Sequence, residues 1–408
     1  MKCRHCCTEI TLPLIDLGSA PPSNAYLTSE KLQVSEKYFP LRVLICTECW
    51  LVQTEEYGEA EELFLADYAY FSSFSTTLLE HCRHYQKEMA RRFNLNSSSH
   101  VVEVAANDGY LLQYFLEANI PCLGIEPTTS TANAARAKGV AIEEVFFGKE
   151  TSKKLASEGK KADLTIANNV LAHVPDINDF VKGFEVLLKD DGVATFEFPH
   201  LQRLVDEGLF DLIYHEHYSY LSLMSVHRIF EVNGLAIFDI EELATHGGSY
   251  RIFAQKKNSG MHPITPEVAK YRKRENDAGL NTVEYYAGLQ LRANQIKNDF
   301  NRFLIDANNQ GMDVVGYGAA AKGTTLLNYA GVRPDLLKYV VDLNPAKSGN
   351  YLPGCRIPIF GEADLKRDKP DYVIILPWNL NTEVKAQLSY IREWGGKFVT
   401  CVPCISID

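Results

Sequence analysis

The sequence predicts an α/β protein in three parts. These are a small cysteine-stapled N-terminal domain (1–70), a central doubly wound domain (71–262), and a helical connector leading into a smaller Rossmann-like α/β domain (263–408). Three observations predict this. Half of the ten cysteines fall before residue 50. Strand-like and helix-like runs alternate from about residue 75 to 260, as in a mostly parallel sheet. A second strand, glycine-bearing turn and helix open at Met312.

Length and composition are consistent with this division. A chain of 408 residues holds about two or three domains. With 46% hydrophobic and 23% charged residues it reads as an ordinary globular protein. No apolar run approaches the ~18 residues of a membrane-spanning helix. The start, Met1-Lys2-Cys3, lacks an apolar leader, so a cytoplasmic location is expected. A net charge of −11 without a long basic stretch argues against nucleic acid as a partner.

In the first domain, Cys3-x-x-Cys6 and Cys46-x-x-Cys49 form two thiolate knuckles. Each offers two sulfurs from a tight turn, and together they complete a tetrahedral zinc site. A domain with so few core residues (Pro13, Leu14, Leu17, Leu41, Val43, Leu44) needs such a staple. Four protein ligands leave no open position, so the zinc is structural. Cys7 is a spare thiol that competes with Cys6, and buried free thiols are the alternative reading.

The central domain runs through strands near His100–Ala105, Cys122–Glu126, Val140–Val145, Ala162–Ala167 and Gly192–Phe198. Helices are expected from Gly109, over Thr131–Lys138 and over Ile177–Leu188. Leu235–Ile240 and Ser249–Gln255 follow without a helix between them, which suggests an antiparallel edge. Ligands bind at the carboxyl ends of such strands. The first strand ends in Glu103-Val-Ala105-Ala-Asn107-Asp-Gly109, the second in Glu126, placed to take ribose hydroxyls, and the fourth in Asn168-Asn169. One glycine, two alanines and an acidic Asp108 serve a pyrophosphate poorly. They suit the cationic sulfonium of S-adenosylmethionine, although a single acidic strand end is often structural.

The third part begins with polar helical sequence from Pro266 to about Asn309. Gly316-Tyr-Gly318-Ala-Ala-Ala-Lys322-Gly323 then follows a strand and opens a helix, offering N–H groups and a cation to phosphates. Strands at Tyr339–Asp342 and Tyr372–Leu376, a helix over Thr382–Trp394 and a strand near Phe398 complete it. Cys401 and Cys404 are read as thiols without an assigned role.

Between the fifth strand and the edge lies Tyr214-His215-Glu216-His217-Tyr218. Histidine titrates near neutral pH, so the run suits proton transfer; a metal site at His215-x-His217 is its rival. In a helix, Tyr214 and His217 would share a face. In a strand, Glu216 and His217 would diverge.

The knuckles, Glu-Val-Ala-Ala-Asn-Asp-Gly at 103–109, Asn-Asn-Val-Leu-Ala-His-Val-Pro at 168–175, Tyr-His-Glu-His-Tyr-Ser-Tyr at 214–220, His246-Gly-Gly-Ser-Tyr-Arg251 and Gly316–Gly323 resemble the sugar C-methyltransferases over essentially the whole chain. The resemblance implies S-adenosylmethionine in the central domain. It also implies methylation at C-3 of a nucleotide-linked 4-keto-deoxysugar that is held against the third domain. His217 is then the base, Glu216 tunes its neighbours, and Tyr214 donates to the sugar or shuttles a proton. The resemblance adds His173 as a second imidazole and Tyr68 as a lid tyrosine; the alternatives are a helix cap and hinge packing. His246, Arg251, Gly318 and Lys322 are the candidate substrate contacts. Two other classes compete. One is an NAD-dependent sugar-nucleotide oxidoreductase, using the Gly316–Gly323 loop with Asp342 as its acidic partner. The other is a zinc-ribbon adaptor.

Overall fold

The computed structural model describes residues 1–55 and 72–408; the expected lid residue Tyr68 lies outside them. Each cysteine knuckle folds the same way. Cys3 N–H bonds Thr8 O while Cys7 N–H bonds Cys3 O, and Cys46 N–H bonds Leu51 O while Trp50 N–H bonds Cys46 O. The residue four after the first cysteine, Cys7 or Trp50, takes a positive φ of 60° or 61°. Cys7 is therefore the exposed turn residue of its knuckle.

Strands β1 (Leu12–Ala20), β2 (Phe39–Ile45) and β3 (Val52–Thr54) form an antiparallel sheet beside the knuckles. Its apolar side chains, among them Leu14, Leu41 and Val43, pack with Phe300 and Leu327 of the third part. The three cysteines Cys3, Cys46 and Cys49 join the core of the central domain beside Phe180 and Phe184.

The central sheet is built from β4 (Val101–Val104), β5 (Cys122–Ile125), β6 (Ile142–Glu143), β7 (Ala162–Asn168) and β8 (Leu188–Pro199). After β8 the chain gives β9 (Ser219–Tyr220), which leaves this sheet and pairs antiparallel with β3. Then β10 (Leu235–Leu243) and β11 (Ser249–Lys256) close it in the order β10-β11-β8-β7-β4-β5-β6. β11 is antiparallel to both neighbours, the edge expected from two strands without a helix between them. Strand order reverses at β4, flanked by β5 and β7, so the crevice opens at its carboxyl end. The helix expected from Gly109 starts at Leu112, because Asn107 and Gly109 spend the intervening residues in a positive-φ turn.

In the third part the sheet order is β14-β13-β12-β15-β16-β17. Its strands are β12 (Val314–Tyr317), β13 (Val340–Val341), β14 (Ile359–Phe360), β15 (Tyr372–Ile375), β16 (Lys397–Thr400) and β17 (Ser406–Ile407). All pairs are parallel except β16–β17. The helix expected over Thr382–Trp394 divides into an α-helix, Asn381–Gln387, and a 3-10 helix, Ser389–Trp394. The connector helix Pro266–Ala278 buries Val268 in the central core. It also aims Glu275 at the N-terminus of the helix Leu223–Val232, where the carboxylate accepts the Leu223 and Met224 N–H groups at 2.7 and 2.8 Å, a favourable use of the helix dipole. No helix among the described residues is long and apolar enough to cross a membrane.

Candidate active site

A cavity of about 190 Å³ lies at the carboxyl ends of β4, β5 and β7, lined by Ala105, Asn107, Glu126, Asn168, Asn169 and His173 among others. Three of these hold left-handed backbone: Ala105 at φ 58°, Asn107 at 48° and Asn169 at 54°. Asparagine visits this region readily but alanine does so at a cost of about 1–2 kcal/mol. Such strain concentrated around one cavity marks a site whose shape is imposed.

Glu126 is buried and fixes the turn, its carboxylate accepting the Asn107 N–H at 2.9 Å and the Thr128 N–H at 3.0 Å. The side-chain Oδ1 atoms of Asn168 and Asn169, both in the cavity wall, have no hydrogen-bond partner among the described residues. Buried polar atoms are rarely left so. An acceptor-rich cavity of this kind suits a ligand carrying hydroxyls, amines and positive charge, and the residues present fit S-adenosylmethionine.

Two residues expected to touch the cofactor stand back from the cavity wall. Glu103 is fully buried under the turn, and burial raises its carboxyl well above the usual range, with the Tyr110 hydroxyl pulling the other way. Gly109 is needed for packing. At φ 73° its missing Cβ would stand 3.0 Å from Val140 and 3.2 Å from Ala135.

The run after the fifth strand is a turn followed by a strand. His217 N–H bonds Tyr214 O at 3.0 Å, which folds the two side chains together. The Tyr214 hydroxyl lies 2.7 Å from His217 Nε2, and His217 Nδ1 lies 2.9 Å from Leu212 O. A carbonyl only accepts, so Nδ1 carries the proton and Nε2 presents its lone pair. The His217 ring meets His173 edge-on, with centroids 4.6 Å apart, so His173 bridges the cofactor cavity and the tyrosine–histidine pair. Burial lowers the His173 pKa to about 4, and the ring is neutral at pH 7. The helix cap considered for His173 is supplied by Asp176, which accepts from Asn178 and Asp179 N–H.

The neighbours of His217 point elsewhere. His215 Nε2 bonds Phe39 O at 3.2 Å, away from His217, so the two rings do not converge on a metal. Glu216 is fully buried and accepts from Asn24 Nδ2 at 3.1 Å and Asn24 N–H at 3.3 Å; burial raises its pKa.

At the seam with the third part, Lys322 reaches Asn379 Oδ1 at 2.6 Å and lies 4.7 Å over the Trp378 ring. Burial lowers its pKa to about 8, with Asp211 opposing. Asp211, just before the Tyr214–His217 turn, accepts the Trp378 indole N–H at 2.7 Å, and burial pushes its carboxyl up to about 6. No motif or spacing singles out Asp211 or Trp378; their proximity in the fold does. Gly318, at φ 87°, lets Pro377 approach where a Cβ would stand 2.4 Å from the proline ring. His246 falls in the 3-10 turn Thr245–Gly247.

Arg251, expected at the substrate, is instead an ion-pair residue inside the sheet. It is 3% exposed and committed to Glu197 at 2.7 Å and Glu241 at 3.0 Å, because its strand is an interior one of the sheet. Asp342, the acidic partner that an NAD reading requires, already accepts Ala319 N–H at 2.8 Å and Asn344 N–H at 2.8 Å, with Lys347 beside it at 3.4 Å.

The four sulfurs of Cys3, Cys6, Cys46 and Cys49 lie within 4.8 Å of one another, with Cys3–Cys49 and Cys6–Cys46 each at 3.5 Å. Tetrahedral thiolates about 2.3 Å from zinc stand roughly 3.8 Å apart, so this set fits the ion.

Family models match almost the whole chain: a zinc binding domain at residues 3–64, a methyltransferase domain at 78–240 and a C-methyltransferase C-terminal domain at 244–403. The C-methyltransferase NovU of Streptomyces niveus is 31% identical over 402 residues, 98% of this chain and 95% of that protein. Among solved structures, magnesium protoporphyrin IX methyltransferase from Synechocystis PCC 6803 is 15% identical at a TM-score of 0.34, covering 44% of this chain and 79% of its own. A SAM dependent methyltransferase from Archaeoglobus fulgidus is 15% identical at 0.34, covering 43% and 94%.

Proposed function

The chain belongs to the C-methyltransferase family and is an S-adenosylmethionine-dependent methyltransferase, and we propose that its acceptor is C-3 of a nucleotide-linked 4-keto-deoxysugar. The observation that carries this reading is the Tyr214–His217 pair beside His173, where the cofactor cavity ends. Methylation at carbon needs a carbanion, and a ketone acidifies the hydrogens on the neighbouring carbon. A base whose accepting nitrogen is paired with a hydroxyl that can relay a proton is what that step requires.

His217 Nε2 takes the C-3 proton, directly or through the Tyr214 hydroxyl, which passes its own proton to Nε2 as it receives the sugar's. The Leu212 carbonyl holds the Nδ1 proton and shares the resulting positive charge. Tyr214 then donates to the enolate oxygen, where charge develops. Glu126, Asn107, Asn168 and Asn169 would hold S-adenosylmethionine, which when bound would supply the methyl group from its sulfonium. Neutral His173 closes the cavity between the two reactants and excludes water. Lys322, enclosed by Trp378 and Asn379 at the seam, places a positive charge near the phosphates of the nucleotide, with Asp211 tuning it. His246, in the turn between β10 and β11, is kept as a contact to the sugar. Glu216 acts by bracing the turn on Asn24.

Incubation with a nucleotide-linked 4-keto-deoxysugar and S-adenosylmethionine should give a product bearing one extra methyl at C-3. Calorimetry should show binding of S-adenosylmethionine and none of NAD. Binding of NAD alone would contradict the reading.

A further inference from the structure

The zinc knuckle and the catalytic turn share a set of hydrogen bonds. Arg4 stands between Cys3 and Cys6, half-buried. Its backbone N–H donates to Gln53 Oε1 at 2.9 Å, and Gln53 Nε2 donates to the Cys3 sulfur at 3.2 Å. The Arg4 Nη1 donates to Thr54 O at 2.7 Å and to Tyr218 O at 3.2 Å, with the guanidinium 5.2 Å over the Tyr218 ring. Thr54 completes the grip: its N–H donates to Tyr218 O at 3.1 Å and its hydroxyl to His217 O. On the far side, Tyr218 N–H donates to Ala172 O at 2.8 Å, one residue before His173.

Both imidazole-bearing segments therefore hang on the end of β3, and β3 hangs on the knuckle. The His217 carbonyl, held by Thr54, lies in one of the two peptide planes that flank the His217 Cα, and the Tyr218 carbonyl, held by Arg4 and Thr54, fixes the next plane along the chain. A guanidinium bond to a carbonyl is charge-assisted and resists reorientation. A stabilising role for the zinc domain requires none of these contacts to reach the catalytic turn.

We infer that Arg4 is a positioning residue for His217, and that the zinc knuckle serves catalysis by fixing the arginine. The inference rests on the reading of His217 as the base. The zinc supplies rigidity to the knuckle and takes no part in proton or methyl transfer.

The test uses the full-length, zinc-loaded protein. Arg4→Ala should keep its zinc and its S-adenosylmethionine affinity by calorimetry. It should lose methyl transfer and C-3 hydrogen exchange together, by about 10- to 100-fold in kcat, as ångström-scale misplacement does. The sugar KM should change by no more than about twofold. Arg4→Lys, which keeps a cationic donor, should recover part of the loss. In histidine-labelled protein the His217 resonance, assigned by its absence in His217→Asn, should move in Arg4→Ala. Wild-type kcat with an unmoved resonance overturns the inference, and so does a loss confined to zinc content and stability. Should Arg4→Ala fail to hold zinc, Thr54→Val leaves both knuckles intact and must show the same kcat loss with a shifted resonance. The resonance needs no sugar, so it separates a wrong substrate assignment from a wrong positioning role.

Discussion

The two α/β sheets each present a strand, a turn and a helix with an acidic residue at the end of the next strand, and they surround that turn differently: the first borders a cavity lined by Ala105, Asn107 and Glu126. After β4, Glu126 accepts a turn N–H from Asn107. After β12, Asp342 accepts a turn N–H from Ala319. The device is the same, but the surroundings differ. Around the first turn, the cavity-lining Asn168 and Asn169 leave side-chain acceptors unspent. Around the second, Lys347 Nζ at 2.8 Å and the Tyr26 hydroxyl at 2.6 Å both donate to Ala319 O, and Lys347 lies beside Asp342. The same supersecondary motif thus serves two ends, and what its neighbours leave unsatisfied decides which kind of ligand each turn can take.

The largest expected contrast is electrostatic. His173 at the edge of the first site is held neutral, its pKa lowered to about 4 by burial. The unfolded chain takes up a proton on this residue below its ordinary value of 6.5, so stability falls as pH drops from 6.5 toward 4. The loss amounts to about 3 kcal/mol at most. His173→Gln should flatten that part of the stability–pH curve measured by denaturant titration; an unchanged slope would show the ring to be solvated.

Next comes the turn glycine. Gly318→Ala forces a side chain at φ 87° against Pro377 and should destabilise by about 2 kcal/mol. The opposite change in the first turn, Ala105→Gly, relieves a left-handed alanine and should stabilise by about 1 kcal/mol or slightly less. If both changes destabilise, the strain assigned to the first turn is not there.

Between these two in size, Glu126→Gln should weaken S-adenosylmethionine binding about 10-fold, the worth of a charged hydrogen bond. Asp342→Asn should leave that affinity unchanged and lower only the melting temperature. Equal effects on affinity would erase the distinction between the two turns.

Much of this was legible in the sequence because it follows from spacing. Paired Cys-x-x-Cys turns, the strand–helix alternation and the acidic strand ends each imply their structure locally, and the parallel order and antiparallel edge followed from them. What stayed hidden depends on contacts between distant segments. Tyr214 and His217 do pair, as a helical reading of the run would place them, but through a single turn whose far side is held by Thr54 and Arg4 of the first domain. Glu216 faces Asn24, which is 192 residues away in the chain. Arg251 looked available as a charge on a strand face, yet the added edge strand β10 and the helix Thr76–Arg92 cover it. Asp211 and Trp378 meet only when the third part docks.

The most direct test of the central claim follows the C-3 hydrogen itself. In deuterated water with the keto-sugar nucleotide and S-adenosyl homocysteine, which cannot transfer a methyl, the wild-type protein should exchange C-3 hydrogen. His217→Asn should slow that exchange by about 10²- to 10⁴-fold, as loss of a general base does, with S-adenosylmethionine affinity intact. Exchange at the wild-type rate in His217→Asn would place the base elsewhere and contradict the account.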